Sequence, residues 1–545
     1  MLMLPVAALS VLLLGARVVA SAATLDAMFS TGAVLQMGRP VPVWGSAAAP
    51  HQDVSVSLDG TIVATGVAKA DGSWAATLPP QPAAYNRTLS VAGSASTISF
   101  GVVLLCSGQS NMAMGVGGAG AFHKPGKPPF SADNGTVESA ASGRFTGKIW
   151  FREDTNDTYV GPKRRWMPVA PHTLPGLSAV CWYSGKAIFL GALEAAGTPL
   201  GLLVATWGAT PIEYWLPQSD PANPNVNSCE SDQPQCVSKF PQLGPVNDSA
   251  FFARYVQPLA PYAVAGLVWD QAERDVKCPR SLVHYSCMQS LLIRSWRRAF
   301  DSEFVFVGVQ LAGYTGIDNG GPRDPEKPFP MISAHKVFEM RLQQASGCEG
   351  VAGKCSVVPT YDLSCAAGLE GGCPFGSVHQ PHKAVIGERI GRQLLQAGLG
   401  GVVAARQMVV ATGPRPTRAH AIASGAPAAG AYTVTVFFSG GSSPFYLQGT
   451  RNCTTCCTGS VAGGSTVDLD ASADGVTFVN ATNLTLTLEG TAVTFVIQGL
   501  HSAPTVVRHT ASAIFPQCAL YNREQLPAVP FVLNITQDTA GRSRR

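Results

Sequence analysis

The hydrophobic period of this chain changes twice along its length, and that change limits the folds open to it. From Thr24 to about Phe100 apolar and polar residues alternate, as in Val54-Ser55-Val56-Ser57-Leu58, with turn pairs at Asp59-Gly60 and Asp71-Gly72. A period of two sends successive side chains to opposite faces of a strand, so residues 23–100 read as a small antiparallel, sandwich-like β domain. From Gly101 to about Gly400 the alternation gives way to continuous apolar runs at Val102 to Leu105, Gly201 to Thr206, Val264 to Trp269, Phe304 to Leu311 and Ser356 to Pro359. Such runs, separated by helix-length segments, predict a parallel sheet covered on both faces, hence an α/β region over residues 101–400. After Gly401 the alternation returns, clearest at Tyr432-Thr433-Val434-Thr435-Val436 and Leu484-Thr485-Leu486-Thr487-Leu488, and predicts a β-rich module over residues 401–545. At 545 residues the chain exceeds one ordinary core, in keeping with several domains.

Composition narrows the setting. Apolar residues make up 46% of the chain and charged residues 13%, the balance of a core-rich protein rather than a disordered one. The formal charge is only +4 and the one basic run is the terminal Arg542-Ser543-Arg544-Arg545, which excludes nucleic acid as a main partner. Residues 1–22, with an apolar stretch from Leu4 to Leu14 and the small residues Ala20-Ser21-Ala22, fit a secretory signal peptide cleaved near Ala22. The basic residue that normally precedes the apolar run is missing, Arg17 lying behind it, so a retained anchor is the alternative; no later segment has the length of a membrane span. Fourteen cysteines point to disulfides, and eight acceptor triplets at Asn86, Asn134, Asn156, Asn247, Asn452, Asn480, Asn483 and Asn534 point to a glycoprotein of the secretory pathway, extracellular or lysosomal. The tightest cysteine cluster, Cys453-Thr454-Thr455-Cys456-Cys457, has no second pair at zinc-finger spacing, so neither a metal nor a cofactor is expected.

Open parallel sheets hold their chemistry in the loops after the carboxyl ends of the strands, and here each apolar run ends in a polar cluster. Val103-Leu104-Leu105-Cys106 leads into Ser107-Gly108-Gln109-Ser110-Asn111-Met112; Leu203-Val204-Ala205-Thr206 leads into Trp207-Gly208-Ala209-Thr210-Pro211; Leu267-Val268-Trp269 leads into Asp270-Gln271-Ala272-Glu273. A serine beside Gly108 at a strand end can project its hydroxyl from a tight turn, with backbone N–H groups close by for an oxyanion, although a helix-capping serine would read the same way. A base must stand within hydrogen-bond reach. Among ten histidines, His379 lies in the loop Pro374-Phe375-Gly376-Ser377-Val378-His379-Gln380-Pro381-His382-Lys383, ahead of a helical pattern from Ala384 to Leu395. His382 reads as a surface or capping residue.

These clusters together resemble the sialate O-acetylesterase family of SGNH-type carbohydrate esterases. The resemblance is carried in order by Cys106 to Met112, Trp207 to Glu213, Trp269 to Glu273, and Pro374 to His379 with Lys383. Ala33-Val34-Leu35-Gln36 and Val43-Trp44-Gly45 extend it forward, Ala179-Val180-Cys181-Trp182-Tyr183 lies inside it, and Cys518-Ala519-Leu520-Tyr521 and Leu526 to Phe531 extend it to the end. The resemblance implies an SGNH-like α/β core that acts as a serine hydrolase, removing O-acetyl groups from an acetylated carbohydrate with water as the second substrate. Ser110 would be the nucleophile and His379 its base, and the N–H groups of Ser110 and Gly208 would hold the oxyanion, with Asn111 among the oxyanion or substrate-binding residues.

The sequence departs from the family pattern in ways that bear on the site. Where the family has Trp-Tyr-Gln-Gly-Glu-Ser-Asn, this chain has Trp269-Asp270-Gln271-Ala272-Glu273-Arg274-Asp275. A carboxylate cannot donate to an oxyanion, so Asp275 must be turned away, protonated or paired, and Gln271 becomes either the side-chain donor or a brace for its loop. The acid that stands two or three residues before the histidine in many such hydrolases is replaced by Gly376 and Ser377. Glu273 and Asp362 are the candidates to orient His379 from another loop; the other possibility is a dyad oriented by a backbone carbonyl. Two further readings stay open: the same chemistry on another acetylated glycan such as xylan, and a sugar-binding protein that has lost catalysis.

Overall fold

One 15-residue strand, β1 (Ser94–Gly108), joins the N-terminal β region to the centre of the protein and ends at the candidate nucleophile. The computed structural model describes residues 22–46, 48–117, 143–154, 164–217, 229, 250–315, 332–364, 377–399, 409–424, 430–441, 443–450, 467–486 and 490–537. Ahead of β1, Thr24–Leu25, Val41–Ser46 and Trp74–Leu78 form a three-stranded sheet. Asp53–Leu58 and Thr61–Val67 form a hairpin across Asp59-Gly60, where both residues take positive φ, 51° and 81°. That pair suits a two-residue turn because aspartate tolerates the left-handed region and glycine has no Cβ to oppose it.

The expected boundary between residues 100 and 101 falls inside β1. Its first half pairs antiparallel with Ala84–Val91, and Ser99 to Gly101 pair parallel with Val34–Gln36. Its second half lies in a mixed α/β region with β2 (Ile149–Glu153), β3 (Leu200–Thr206), β4 (Gly266–Asp270), β5 (Val305–Val309) and β6 (Cys355–Val358), in the order β2-β3-β1-β4-β5-β6. Every neighbouring pair in this series is parallel. The two strands beside β1 come from opposite directions of winding, so the crevice between their carboxyl ends opens directly above Gly108.

Burial explains why these strands read as apolar runs. Val103 and Leu105 point into a core shared with Leu291, Trp296 and the N-terminal strands, whereas Val102, Leu104 and Cys106 point into a second core with Val180, Ile386 and Ile390. With both faces covered, both sets of alternating positions are mainly apolar. The cover comes from α2 (Ala179–Ile188) packed on α5 (Lys383–Ala397), and from α3 (Pro279–Ala299) packed on α4 (Ala334–Glu349); α1 is the short turn Ser110–Ala113. The Cys106–Cys181 disulfide ties β1 to α2; Cys229–Cys287 and Cys348–Cys355 are further pairs, and Cys278 and Cys518 are also disulfide-bonded.

After residue 409 an eight-stranded sheet and the two-stranded pair Tyr446–Gly449 with Cys518–Tyr521 enclose a core of their own around Val434, Phe495 and Phe531. Asn86, Asn480, Asn483 and Asn534 are exposed, whereas Asn134, Asn156, Asn247, Asn452, the Cys453–Cys457 cluster and nearly all of the expected leader lie outside the described residues. Among the described residues no helix is long and apolar enough to cross a membrane, and no group of three or more His, Cys, Asp or Glu side chains could hold a metal ion.

Candidate active site

β1 ends in a turn that only glycine can make. Gly108 has φ +141°, and a Cβ on it would fall 2.1 Å from the carbonyl oxygen of Asp270 on the neighbouring strand. This close approach lets Gln109 donate its N–H to that oxygen at 3.0 Å, and the chain then turns into α1 with Ser110 as its first residue. From the other side Trp207 donates its N–H to the Gly108 carbonyl at 3.1 Å, bringing the Trp207 loop over the same strand end. Gly208 follows, and a Cβ there would lie 3.5 Å from the Ser110 Cβ, so its missing side chain leaves the space beside the serine open.

His379 comes from the loop before α5. Its Nε2 lies 3.0 Å from Ser110 Oγ, and both residues are more than nine-tenths buried. The two residues are separated by 269 positions in sequence and meet at hydrogen-bond distance. Ser377, two residues earlier, anchors the loop through Thr315, which donates its N–H to the Ser377 hydroxyl at 3.3 Å.

The remaining candidates fall into two groups. Glu273 and Asn111 lie directly behind the pair. Asn111 Nδ2 donates to Glu273 Oε1 at 2.6 Å and to the Val378 carbonyl at 2.8 Å, while its Oδ1 accepts from Lys383 Nζ at 2.7 Å. Gln109 Nε2 donates to Glu273 Oε2 at 2.6 Å, so both residues flanking Ser110 are held by one carboxyl group. Burial beside Asp270 pushes the Glu273 carboxyl up to about 8, against the pull of Lys383 and the Asn111 amide. Burial likewise raises Asp270 and lowers Lys383.

Gln271 and Asp275 brace the Gly208 loop. Gln271 Nε2 donates to Thr210 O at 2.9 Å, to Gln109 Oε1 at 3.3 Å and to Asp275 Oδ2, and its Oε1 accepts from Tyr285 at 2.8 Å. Asp275 Oδ1 also accepts from the Ile212 N–H at 3.2 Å, and burial pushes its carboxyl up to about 6. Ala272, which stands where the family pattern has glycine, has φ +149°, a backbone conformation natural to glycine and strained for any residue with a Cβ.

Asp362 lies in another network. It accepts two hydrogen bonds from Arg389, at 2.8 and 2.6 Å, and one from the Tyr521 hydroxyl at 3.0 Å. Sequence reasoning left Gln109, Asp270 and Tyr285 without a role; the first two flank named candidates, but nothing in a linear string shows which neighbour turns inward.

No family model matches the chain. It is 27% identical over 362 residues to the sialate O-acetylesterase of Rattus norvegicus, covering 59% of this chain and 60% of that protein. The Mus musculus sialate O-acetylesterase matches to the same degree, and the chain thus spans about three-fifths of the length of these relatives. Over that stretch the chain is similar to the sialate O-acetylesterases. Its fold is that of a carbohydrate acetylesterase from Xanthomonas citri, with a TM-score of 0.66 at 22% identity over 94% of this chain and 99% of the other.

Proposed function

We propose that this protein is a carbohydrate O-acetylesterase with an SGNH-like core, removing O-acetyl groups from sialic acid through an acyl-serine intermediate. The observation that carries the reading is the 3.0 Å contact between His379 Nε2 and Ser110 Oγ, set beside a glycine whose missing Cβ leaves room for an ester. In the proposed cycle Ser110 Oγ bonds to the acetyl carbonyl carbon while its proton passes to His379 Nε2. The Ser110 and Gly208 N–H groups meet the resulting oxyanion, a contribution worth about a hundredfold or more in rate per donor. The bond to the sugar oxygen then breaks as His379 returns the proton to that oxygen, leaving acetyl-Ser110. Water attacks the acetyl group, His379 takes the water's proton, and collapse releases acetate and restores the serine hydroxyl.

Glu273, Asn111, Gln271 and Asp275 support this cycle from behind, the first two through the chain on either side of the reacting pair and the last two through the Gly208 loop. Asp362, bound by Arg389 and Tyr521, is assigned to the fold. Glu273→Gln compared with Asp362→Asn tests this division, because a residue that orients the imidazole lowers kcat when neutralised. The division into a leader at 1–22, a β-sandwich-like part to 100, a catalytic region to 400 and a C-terminal β module is part of the proposal, as is a secreted or lysosomal glycoprotein; the disulfides and exposed Asn86, Asn480, Asn483 and Asn534 favour that route.

Acetate release from 4-nitrophenyl acetate and 9-O-acetyl sialic acid, with Ser110→Ala alongside, tests the activity. We expect turnover of both substrates by the wild type and a loss of at least about ten-thousand-fold in the variant with unchanged thermal stability. Turnover of the simple ester alone moves the substrate to another glycan such as acetylated xylan. Glycan binding without turnover of either makes this a binding protein.

A further inference from the structure

Lys383 is the first residue of α5 and is completely buried, an unfavourable place for an ammonium group unless the charge is used. It does not close a tight ion pair. Its nearest carboxylate oxygen, Asp270 Oδ2, is 3.9 Å away and accepts no hydrogen bond, whereas the Asn111 amide oxygen is at 2.7 Å. The other end of that amide spans the reacting groups, since Asn111 directly follows Ser110 and its Nδ2 donates to Val378, which directly precedes His379. Four residues after His379 the chain reaches Lys383 itself, so a ring closes from Ser110 through Asn111 to Lys383 and back through the His379 loop to Ser110 Oγ. Turned over, the Asn111 amide would set its NH2 against an ammonium and its oxygen against Glu273 and a carbonyl. Lys383 therefore selects one orientation of the amide that holds the two segments together.

We infer that Lys383 is a positioning residue for the Ser110 and His379 pair, acting through the Asn111 side chain. The inference rests on the reading of Ser110 as nucleophile. A displacement of about 1 Å in such a pair costs on the order of a hundredfold in rate, which sets the size of the effect. Burial, which lowers the Lys383 ammonium, works against the charge, and the nearby Asp270 and Glu273 carboxyls work to retain it.

The test is a cycle of Lys383→Met, Asn111→Ala and the double variant, with kcat expressed per serine titrated by a fluorophosphonate and thermal stability measured in parallel. Lys383→Met should lower kcat for 4-nitrophenyl acetate about a hundredfold with KM changed less than about twofold. The double variant should be no slower than Asn111→Ala, because the two act in series. Lys383→Gln, which restores a donor to Asn111, should recover part of the rate, and it takes the place of the methionine variant in the cycle should that one not be secreted. Wild-type kcat per titrated serine in the Lys383 variants, or losses that multiply in the double variant, would overturn the inference. If Ser110→Ala still hydrolyses the ester, the nucleophile reading falls; if Ser110→Ala is inactive while Lys383→Met matches the wild type, only the role of Lys383 falls.

Discussion

Two buried polar networks, one with two carboxyl groups and one with a single carboxylate, each reach a basic side chain of α5 and differ in how well the charges are matched. Behind Ser110 the carboxyls of Asp270 and Glu273 share a single ammonium, Lys383, which approaches Asp270 only to 3.9 Å and gives its short hydrogen bond to a neutral amide. Beside the strand Cys518–Tyr521, Arg389 grips Asp362 through two hydrogen bonds and Tyr521 adds a third. Beside it Tyr361 donates to the Ala528 carbonyl at 2.9 Å, and its hydroxyl lies 3.2 Å from His509 Nε2. A planar guanidinium that meets a carboxylate with both arms satisfies the charge and fixes the geometry, as a fastening between two parts of a protein requires. An under-matched cluster keeps its groups responsive to pH and to small displacements, and such clusters gather where chemistry is done. On the proposed function the first network serves turnover and the second stability.

The sharpest way to break that contrast is at Arg389. Arg389→Met leaves Asp362 buried without its cation, and we expect a loss of about 3–5 kcal/mol in unfolding free energy, read by chemical denaturation. The kcat of the surviving folded protein should stay within a few-fold of wild type. A variant that keeps its stability but loses kcat would place Asp362 in the catalytic machinery after all.

Glu273 tests the other side through pH. Its carboxyl lies at about 8 in the folded protein, while an unfolded glutamate titrates near ~4.3. Between these values the folded state binds the extra proton, so the stability this group confers is fully present below about pH 4.3 and is lost as pH rises through about 8. Asp275, at about 6, adds a slope of the same sign that ends lower. Denaturation midpoints measured from pH 5 to 9 should fall with rising pH, and Glu273→Gln should flatten the upper part of the curve. An unchanged slope in that variant would show that the carboxyl is not perturbed by burial.

The smallest expected effect concerns backbone strain beside Ser110. Ala272, between Gln271 and Glu273, holds φ +149°. Strain of this kind costs about 1–3 kcal/mol, and glycine's greater freedom when unfolded offsets up to about 1 kcal/mol of its relief. Ala272→Gly should therefore raise unfolding free energy by about 1 kcal/mol; a decrease would mean that the alanine conformation is not strained.

Much of the α/β core was legible because a strand covered on both faces is apolar at most of its positions. The run Leu203-Val204-Ala205-Thr206 and its neighbours on β1 and β4 could be placed for that reason. β2 was missed, since Ile149-Trp150-Phe151-Arg152-Glu153 ends in two charges. Arg152 is buried all the same, bound to Asp154 by two hydrogen bonds, and only the folded chain supplies such a partner. The continuity of β1 across residue 100 was hidden for a related reason: the pattern changes where the cover changes from one face to two, not where the strand stops.

For the site, the sequence by itself determined the candidates: a serine beside a glycine at a strand end, a histidine ahead of a helix, and a glycine in a neighbouring loop. It also showed where the chain departs from the family pattern, at Ala272 and Asp275. Only the tertiary structure decided which partners each of these groups meets. Glu273 and Asp362 are chemically alike and both buried, yet one faces an amide pair beside the serine and the other a guanidinium of α5. The physical reason is that a buried ionisable group takes its properties from the partners within about 4 Å, and those partners come from parts of the chain that no local pattern brings together.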